Sequence, residues 1–173
     1  YALGRFRFRG GNFFGVAIFL AYLVPPTLLF IPLAQVVSNF GLYNQYWALI
    51  LTYPTFLIPF ASWLLMGYFR TISRELEDAA MVDGATRIQA MVRIVLPLAM
   101  PGVLSAAIFC FTLGWNEFLY AIVFVYSNDA KTLTTGLTSM MMGDTFIWGQ
   151  LMASSVIAIV PILRAGLGMV DGM

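Results

Sequence analysis

The 173-residue sequence has no histidine, one cysteine and few charged residues. The absence of histidine removes the commonest general base and the commonest metal ligand. Cys110 has no second cysteine with which to form an internal disulfide. Charged residues make up 10% of the chain, whereas soluble domains carry about 25%. Because 61% of the residues are hydrophobic, the predicted solvent of this chain is the lipid bilayer.

The sequence also lacks a Walker A phosphate-binding loop, whose pattern is G-x-x-x-x-G-K-[ST]. Lys131 is the only lysine and Thr132 follows it, but Ala130 precedes it and the glycine spacing is absent. We therefore expect any ATP to be bound by a partner. The net charge of +1 gives no reason to expect a nucleic-acid partner.

Four apolar segments are long enough to cross the hydrocarbon core, which takes about 20 residues. They are residues 13–37, 47–69, 101–125 and 147–167. The third contains Glu117 and the fourth ends near Arg164; the other two carry no charge. These segments predict an all-α polytopic membrane helix bundle with four spans, forming a single transmembrane domain over residues 1–173.

The positions of the arginines predict the orientation of the spans. They precede the first span, separate the second from the third and end the fourth, at Arg5, Arg7, Arg9, Arg70, Arg74, Arg87, Arg93 and Arg164. The predicted start, central insert and C-terminus are therefore cytoplasmic. The loops at residues 38–46 and 126–146 are predicted to face outward.

The polar run at residues 75–101 stands out between two apolar regions. Its first part carries carboxylates next to a plausible N-cap, Ser73, where the positive end of a helix favours negative charge. Gly84 is suited to a left-handed residue that ends this helix. Asp83 is a candidate cap for a second helix that begins near Ala85.

That second helix is predicted to be amphipathic. Its apolar residues recur at helical spacing, at Ile88, Met91, Val92 and Val95. Pro97 and Pro101 are then expected to break the chain before it enters the bilayer. Taken alone, these residues also fit a solvated loop whose charges only keep it out of lipid.

The segment from Glu77 to Ala85, together with residues 94–98 and Pro101, resembles the EAA loop of ABC importer permeases. The family pattern is EAA, a short gap, DGA and a distant I-x-LP; Asp78 stands where the family usually has glutamate. The resemblance covers nearly the whole chain. It includes residues 1–8, 115–118 and 131–133, which look most like the second permease subunit of maltose- or trehalose-type importers. The family usually has two more helices ahead of Tyr1, so we expect two N-terminal helices to be missing.

The resemblance implies the type I permease fold of ABC importers and a pore-forming role in an ATP-driven sugar importer. The chain would then be a transport subunit rather than an enzyme, in a bacterial or archaeal inner or plasma membrane. Implied partners are a second permease subunit, an extracytoplasmic sugar-binding protein, membrane lipid and a cytoplasmic ATPase dimer that binds ATP and Mg²⁺. Residues 70–97 would form the cytoplasmic coupling loop, with docking residues Glu77, Asp78, Ala79, Ala80, Asp83 and Gly84.

Asn116 and Glu117 are the polar residues within the third predicted span. A carboxylate at the bilayer centre costs at least about 2.5–3.5 kcal/mol, so Glu117 is expected to face protein or water. In one interpretation Asn116 and Glu117 bind sugar hydroxyls or gate the pathway, and Trp115 or Tyr120 stacks on the sugar. In the other, Glu117 only bonds to a neighbouring helix.

Two other classes of function remain open from the residues. One is an ion-coupled secondary transporter with Glu117 as the coupling carboxylate; the other is a structural subunit of a membrane enzyme complex. Secondary transporters often contain inverted repeats, and the sequence shows none. The outer loop at residues 126–146, with Asn128, Asp129, Lys131 and Asp144, is either an ordinary polar loop or a contact for the binding protein. By resemblance, an α-linked disaccharide such as trehalose or maltose is the expected sugar.

Overall fold

The structure is a computed structural model that describes residues 1–6, 8–140 and 148–170, with only the backbone of residues 169 and 170. The predicted roles of Arg7, Asp144 and Ile147 therefore fall outside the described residues. Within the described ranges all regular structure is helical and no strand occurs, which confirms the all-α class.

The helices follow the chain as α1 (Ala2–Arg5), α2 (Gly11–Leu23), α3 (Pro26–Asn39), α4 (Tyr46–Thr52), α5 (Pro54–Thr71), α6 (Glu75–Val82), α7 (Arg87–Ala90), α8 (Leu96–Trp115), α9 (Leu119–Phe124), α10 (Leu133–Ser139) and α11 (Trp148–Val170). A π-helical turn, Met91–Val95, joins α7 to α8. Among the described residues, three helical runs are long and apolar enough to cross a membrane: Tyr46–Thr71, Arg87–Trp115 and Trp148–Gly168.

The first predicted span is a bent pair of helices rather than one helix. The axes of α2 and α3 meet at 93°, so the described residues contain four candidate spans only if this pair counts as one. Val24 and Pro25 lie at the bend, and both are extended, with ψ of 119° and 132°. A residue that precedes proline is sterically pushed out of the helical region, and two successive prolines, Pro25 and Pro26, impose this on both positions.

The third predicted span is displaced along the chain. The helix begins at Arg87 and continues to Trp115, so the predicted break before the bilayer was wrong. Pro97 lies just after the π-helical turn and Pro101 lies inside α8, and the helix continues through both prolines. The helix ends instead at Asn116, and residues 119–124 form the separate helix α9.

The π-helical turn divides the predicted apolar stripe of the second polar helix. Ile88 is 71% exposed, whereas Val95, seven residues later, is fully buried. In a regular α-helix these two positions would lie on nearly the same face. The π turn has a wider hydrogen-bonding interval, so residues before and after it are out of phase.

Two buried clusters lie at opposite ends of the Arg87–Trp115 helix. The first surrounds α9 and contains Val37, Ala48, Leu49, Tyr120, Ala121, Phe124 and Val125. The second contains Phe69, Val95 and Ala99, with Tyr1 and Val103 packed against it. Between them, α5 packs on α8 so closely that a Cβ atom at Gly102 would overlap the ring of Tyr68. The second cluster therefore joins the N-terminal segment, the end of α5 and the start of α8 next to α6.

Candidate functional site

The predicted docking residues lie on α6 and in the turn that ends it. The Ala85 N–H donates to the Ala80 carbonyl at 2.9 Å, and the Gly84 N–H donates to the Met81 carbonyl at 3.1 Å. This pair of bonds is the Schellman arrangement of a helix C-terminus. Gly84 has φ +91°, a left-handed conformation that costs other residues about 1–2 kcal/mol. The prediction that Gly84 ends the first helix is confirmed.

One face of α6 points away from the rest of the chain. Asp78 and Ala79 are exposed there, and Val82 projects with 87% of its surface accessible. We call Asp78, Ala79, Val82 and Asp83 the outer face of α6. Ala80, in contrast, is only 8% exposed and turns inward. Of the six predicted docking residues, Ala80 and Glu77 are therefore directed toward the protein itself.

Glu77 is held by the N-terminal segment. The Arg5 Nε atom donates to Glu77 Oε1 at 2.7 Å, and the Tyr1 hydroxyl donates to Glu77 Oε2 at 3.0 Å. The Arg5 guanidinium also donates to the carbonyls of Ile72 and Ser73, the latter at 3.2 Å. The Arg5 side chain is 3% exposed and that of Glu77 14%. Arg5 thus connects α1, the end of α5 and the first turn of α6.

Tyr1 contributes a neutral donor to this group. Burial, and then the hydrogen bond to Glu77, raise the pKa of the Tyr1 phenol above its ordinary value. Its hydroxyl therefore keeps its proton at neutral pH. The Tyr1 ring also meets Phe69 of α5 edge to face, with centroids 5.8 Å apart.

The second polar helix begins with a capping box at Thr86. The Gln89 N–H donates to Thr86 Oγ1 at 3.3 Å, and the Thr86 N–H donates to Gln89 Oε1 at 2.8 Å. The prediction that Asp83 caps this helix was wrong, because Gly84 and Ala85 are used to close α6. The pattern T-x-x-Q is a known sequence signature of a helix start and would have identified Thr86.

The predicted pathway residues lie at the other end of the Arg87–Trp115 helix, roughly 40 Å away at 1.5 Å per residue. Glu117 occupies the break between α8 and α9. Its Oε1 accepts from the Tyr120 N–H at 2.8 Å and its Oε2 accepts from the Ala121 N–H at 3.1 Å. The Thr134 hydroxyl donates to the backbone carbonyl of Glu117 at 3.0 Å, which links the break to α10. Glu117 is thus a side-chain cap for α9.

The other three pathway residues differ in exposure. Asn116 is exposed, and its amide donates to the carbonyl of Thr112 at 2.8 Å. Trp115 is partly buried, and its Nε1 atom donates to the carbonyl of Ala158 in α11 at 3.1 Å. Tyr120 is fully buried in the first cluster, so its ring offers no face to a sugar in this conformation.

The predicted outer-loop contacts are only partly described. Asn128 and Asp129 are exposed and Lys131 is partly buried. The Tyr46 hydroxyl donates to the Asp129 carbonyl at 3.4 Å, which ties this loop to the start of α4.

The structure adds two features to the predicted set. Val82 was not chosen from the sequence, although its spacing of four from Asp78 places both on one helical face. Arg5 was used to predict orientation and, within residues 1–8, as part of the family resemblance, and nothing local indicates that it contacts α6. Burial distinguishes Arg5 from the neighbouring arginines in the structure, and the sequence does not show which of several nearby arginines is buried.

The whole described region matches a known family model. Residues 1–170 match the model of the binding-protein-dependent transport system inner membrane component. The chain is similar to the inner membrane ABC transporter permease protein YcjP of Escherichia coli, at 38% identity over 163 residues, covering 94% of this chain and 58% of that protein. It is similar to the trehalose/maltose transport system permease protein MalG of Thermococcus litoralis, at 32% identity over 164 residues, covering 94% and 59%.

A further curated relative is the diacetylchitobiose uptake system permease protein DasC of Streptomyces coelicolor, 37% identical over 165 residues, with 94% of this chain and 59% of that protein covered. The chain therefore spans less than two thirds of the length of these relatives. Among solved structures, it is similar to a chain from a bacterial ABC transporter involved in the import of the acidic polysaccharide alginate. The TM-score is 0.74 at 23% identity, covering 99% of this chain and 65% of that chain, which shows a shared fold.

Proposed function

Since the chain belongs to the family of binding-protein-dependent transport system inner membrane components, we propose that it is the pore-forming permease subunit of an ATP-driven sugar importer. An extracytoplasmic binding protein delivers the sugar, and a second permease subunit completes the pore. A cytoplasmic ATPase dimer, which binds ATP and Mg²⁺, engages the loop at residues 70–97. In this proposal residues 1–173 act as a single transmembrane domain.

Membership in this family bears directly on three predictions from the sequence. The predicted kinship with ABC importer permeases is confirmed. The predicted membrane location is confirmed as well, since the family and its relatives are inner membrane components. The relatives are named as permeases, which are transport components. This confirms the prediction that the chain is a transport component and not an enzyme.

The observation that carries the proposal is the outer face of α6. It presents the apolar Val82 between two carboxylates, Asp78 and Asp83, with the small Ala79 alongside. An isolated apolar side chain with an acidic border suits a partner groove that has an apolar floor and basic walls. Asp78 is one methylene shorter than the family's usual glutamate, so Val82 carries more of the proposed contact.

The class of sugar is proposed from the relatives. One is named for trehalose and maltose and another for diacetylchitobiose, and all three sugars are disaccharides. We therefore propose a disaccharide as cargo. In the pathway, Asn116 is the exposed polar side chain at the α8–α9 break, and we propose that it contacts sugar hydroxyls beside Trp115.

The alternative of an ion-coupled transporter has less support. A coupling carboxylate must exchange a cation during the cycle, and its oxygens must be open to it. Both oxygens of Glu117 already accept N–H groups from the start of α9. Releasing them would leave two buried donors without partners.

The test is association with the ATPase in a complex expressed from the native host. In the Val82→Lys variant, the complex is expected to retain this chain in the membrane and to lose the ATPase subunit. The lysine would place an unpaired cation against the proposed apolar floor and basic walls, at a cost of about 2 kcal/mol or more, which is roughly a thirtyfold loss of affinity. The matched control is Phe40→Lys, an exposed apolar residue at the end of α3, which should leave association unchanged.

Uptake assays separate the competing functions. Proteoliposomes of the wild-type complex, supplied with the binding protein, should take up radiolabelled trehalose, maltose or diacetylchitobiose. Uptake should require ATP on the side of the membrane that carries the ATPase subunits. Uptake driven by a proton gradient without ATP would contradict the proposal. Wild-type association of Val82→Lys with the ATPase would contradict the assigned docking face.

A further inference from the structure

The group formed by Tyr1, Arg5 and Glu77 lies behind α6, on the side opposite its outer face. The Arg5–Glu77 pair has N–O distances of 2.7 Å and is nearly fully enclosed. Every polar side-chain atom buried in the described residues has a hydrogen-bond partner. This is a completed buried network and not a surface ion pair of the kind that contributes little.

The network joins α1, the end of α5 and the start of α6. Arg5 belongs to α1, which packs on α5 and contacts α2. The carbonyls of Ile72 and Ser73 lie just after α5, where the negative end of that helix favours a cation. Glu77 lies in the first turn of α6, where the positive end of the helix favours an anion. Arg5 and Glu77 therefore complement the two facing helix ends.

This arrangement fixes α6 to the helices that enter the membrane. The Tyr1 ring rests on Phe69, and Cβ at Gly4 would lie 3.3 Å from Phe69, so α1 and the end of α5 form one packed unit. α6 also packs on α7 and on the π turn, which lead into α8. The Arg5–Glu77 pair adds a direct connection from α6 to α1 and, through the carbonyls of Ile72 and Ser73, to the end of α5. Without the pair, a displacement of α6 would reach α1 and α5 less directly.

We propose that Arg5 and Glu77 are positioning residues that transmit the movement of α6 to α1, α2 and α5. This inference rests on the proposed function, because it assigns the route by which a docked ATPase moves the pore. Neither residue has to contact the ATPase. Substitution of the pair is therefore expected to leave docking intact and to abolish transport. Substitution of the outer face is expected to abolish both.

The substitutions are chosen to remove the charge with little change in shape. Glu77→Gln keeps one acceptor oxygen but loses the ion pair, and Arg5→Lys keeps the charge but loses the fork that bonds the carboxylate and two carbonyls at once. Arg5→Gln removes both. The matched controls are Glu75→Gln, an exposed carboxylate of the same turn, and Arg9→Gln, an exposed arginine of the same N-terminal segment.

The experiment measures three quantities on each reconstituted complex: ATPase subunit bound per permease, rate of ATP hydrolysis, and labelled disaccharide transported per ATP hydrolysed. For Glu77→Gln and Arg5→Gln we expect normal ATPase content and a transported-to-hydrolysed ratio lower by about tenfold, within the range typical of coupling between two sites. Arg5→Lys should give an intermediate ratio, and both controls should match the wild type.

Three results would overturn the inference. An unchanged ratio in Glu77→Gln and Arg5→Gln would show that the pair transmits nothing. A fall in assembled complex that matches the fall in transport, with the ratio preserved, would show that the pair serves folding alone. A wild-type complex without an ATPase subunit would overturn the proposed function and this inference together, whereas the first two results leave the proposed function standing.

Discussion

Glu117→Ala tests whether the intramembrane carboxylate has a structural role. In the structure the two oxygens of Glu117 accept the N–H groups of Tyr120 and Ala121, which begin α9. Both of these residues are fully buried, so water does not replace the lost acceptors. The side chain of alanine has no acceptor, and both donors are left without a partner.

The magnitude follows from the two bonds. Each buried donor left unsatisfied costs about 1–3 kcal/mol, so Glu117→Ala should lower the free energy of unfolding by about 2–6 kcal/mol. Glu117→Gln keeps one acceptor oxygen, so its cost should be about half as large. Ser105→Ala is the matched control, since Ser105 is exposed and its hydroxyl bonds only within its own helix turn. Its expected change is within about 0.5 kcal/mol.

The assay is unfolding of the purified protein in mixed micelles with increasing fractions of a denaturing detergent, compared with disaccharide uptake by the same variants. We expect stability to fall in the order wild type, Glu117→Gln, Glu117→Ala, with uptake per folded protein preserved in the glutamine variant. Wild-type stability in Glu117→Ala together with loss of uptake would refute the reasoning, because the carboxylate would then act on the cargo or on a coupling ion and not on α9.

Two further predictions concern α8 and α7. Gly102→Ala should lower the free energy of unfolding by about 1–3 kcal/mol, since its Cβ would overlap the ring of Tyr68. Gly67→Ala, where a Cβ meets open space, should instead be neutral or raise it by about 0.5–1 kcal/mol; equal effects at both sites would contradict the packing argument. Thr86→Ala should cost about 1 kcal/mol and speed amide hydrogen exchange in α7, because the capping box is lost. Thr86→Ser should retain slow exchange, and fast exchange in the serine variant would argue against the cap.

The parts of the fold that depend on local sequence were predictable. The helix over residues 75–82 follows from carboxylates at its start and Gly84 at its end, and the structure has both. The apolar composition likewise predicted the second and fourth spans, since length and hydropathy are local properties. The start of the second helix near Ala85 was also local, and only its cap was wrong, since Thr86 and not the predicted Asp83 caps it.

The parts that depend on contacts between distant residues were not predictable. Arg5 and Glu77 are 72 positions apart, and no spacing rule connects them. The end of α8 at Asn116 was hidden because the sequence on both sides is apolar, and hydropathy does not distinguish one span from a helix followed by a capped second helix. Burial of Tyr120 depends on α3 and α4, so its predicted stacking face could not be assessed from its own segment.

The π-helical turn at Met91–Val95 affects how the length of this chain can vary. A one-residue deletion within regular α8 would rotate everything before it by about 100° relative to everything after it, and α6 would point elsewhere. The same deletion within Met91–Val95 converts a π turn into an α turn, so the flanking helices keep their relative direction. We therefore expect natural insertions and deletions between α6 and the membrane helix to fall mainly within these five residues, because a change of length there leaves the direction of α6 unchanged.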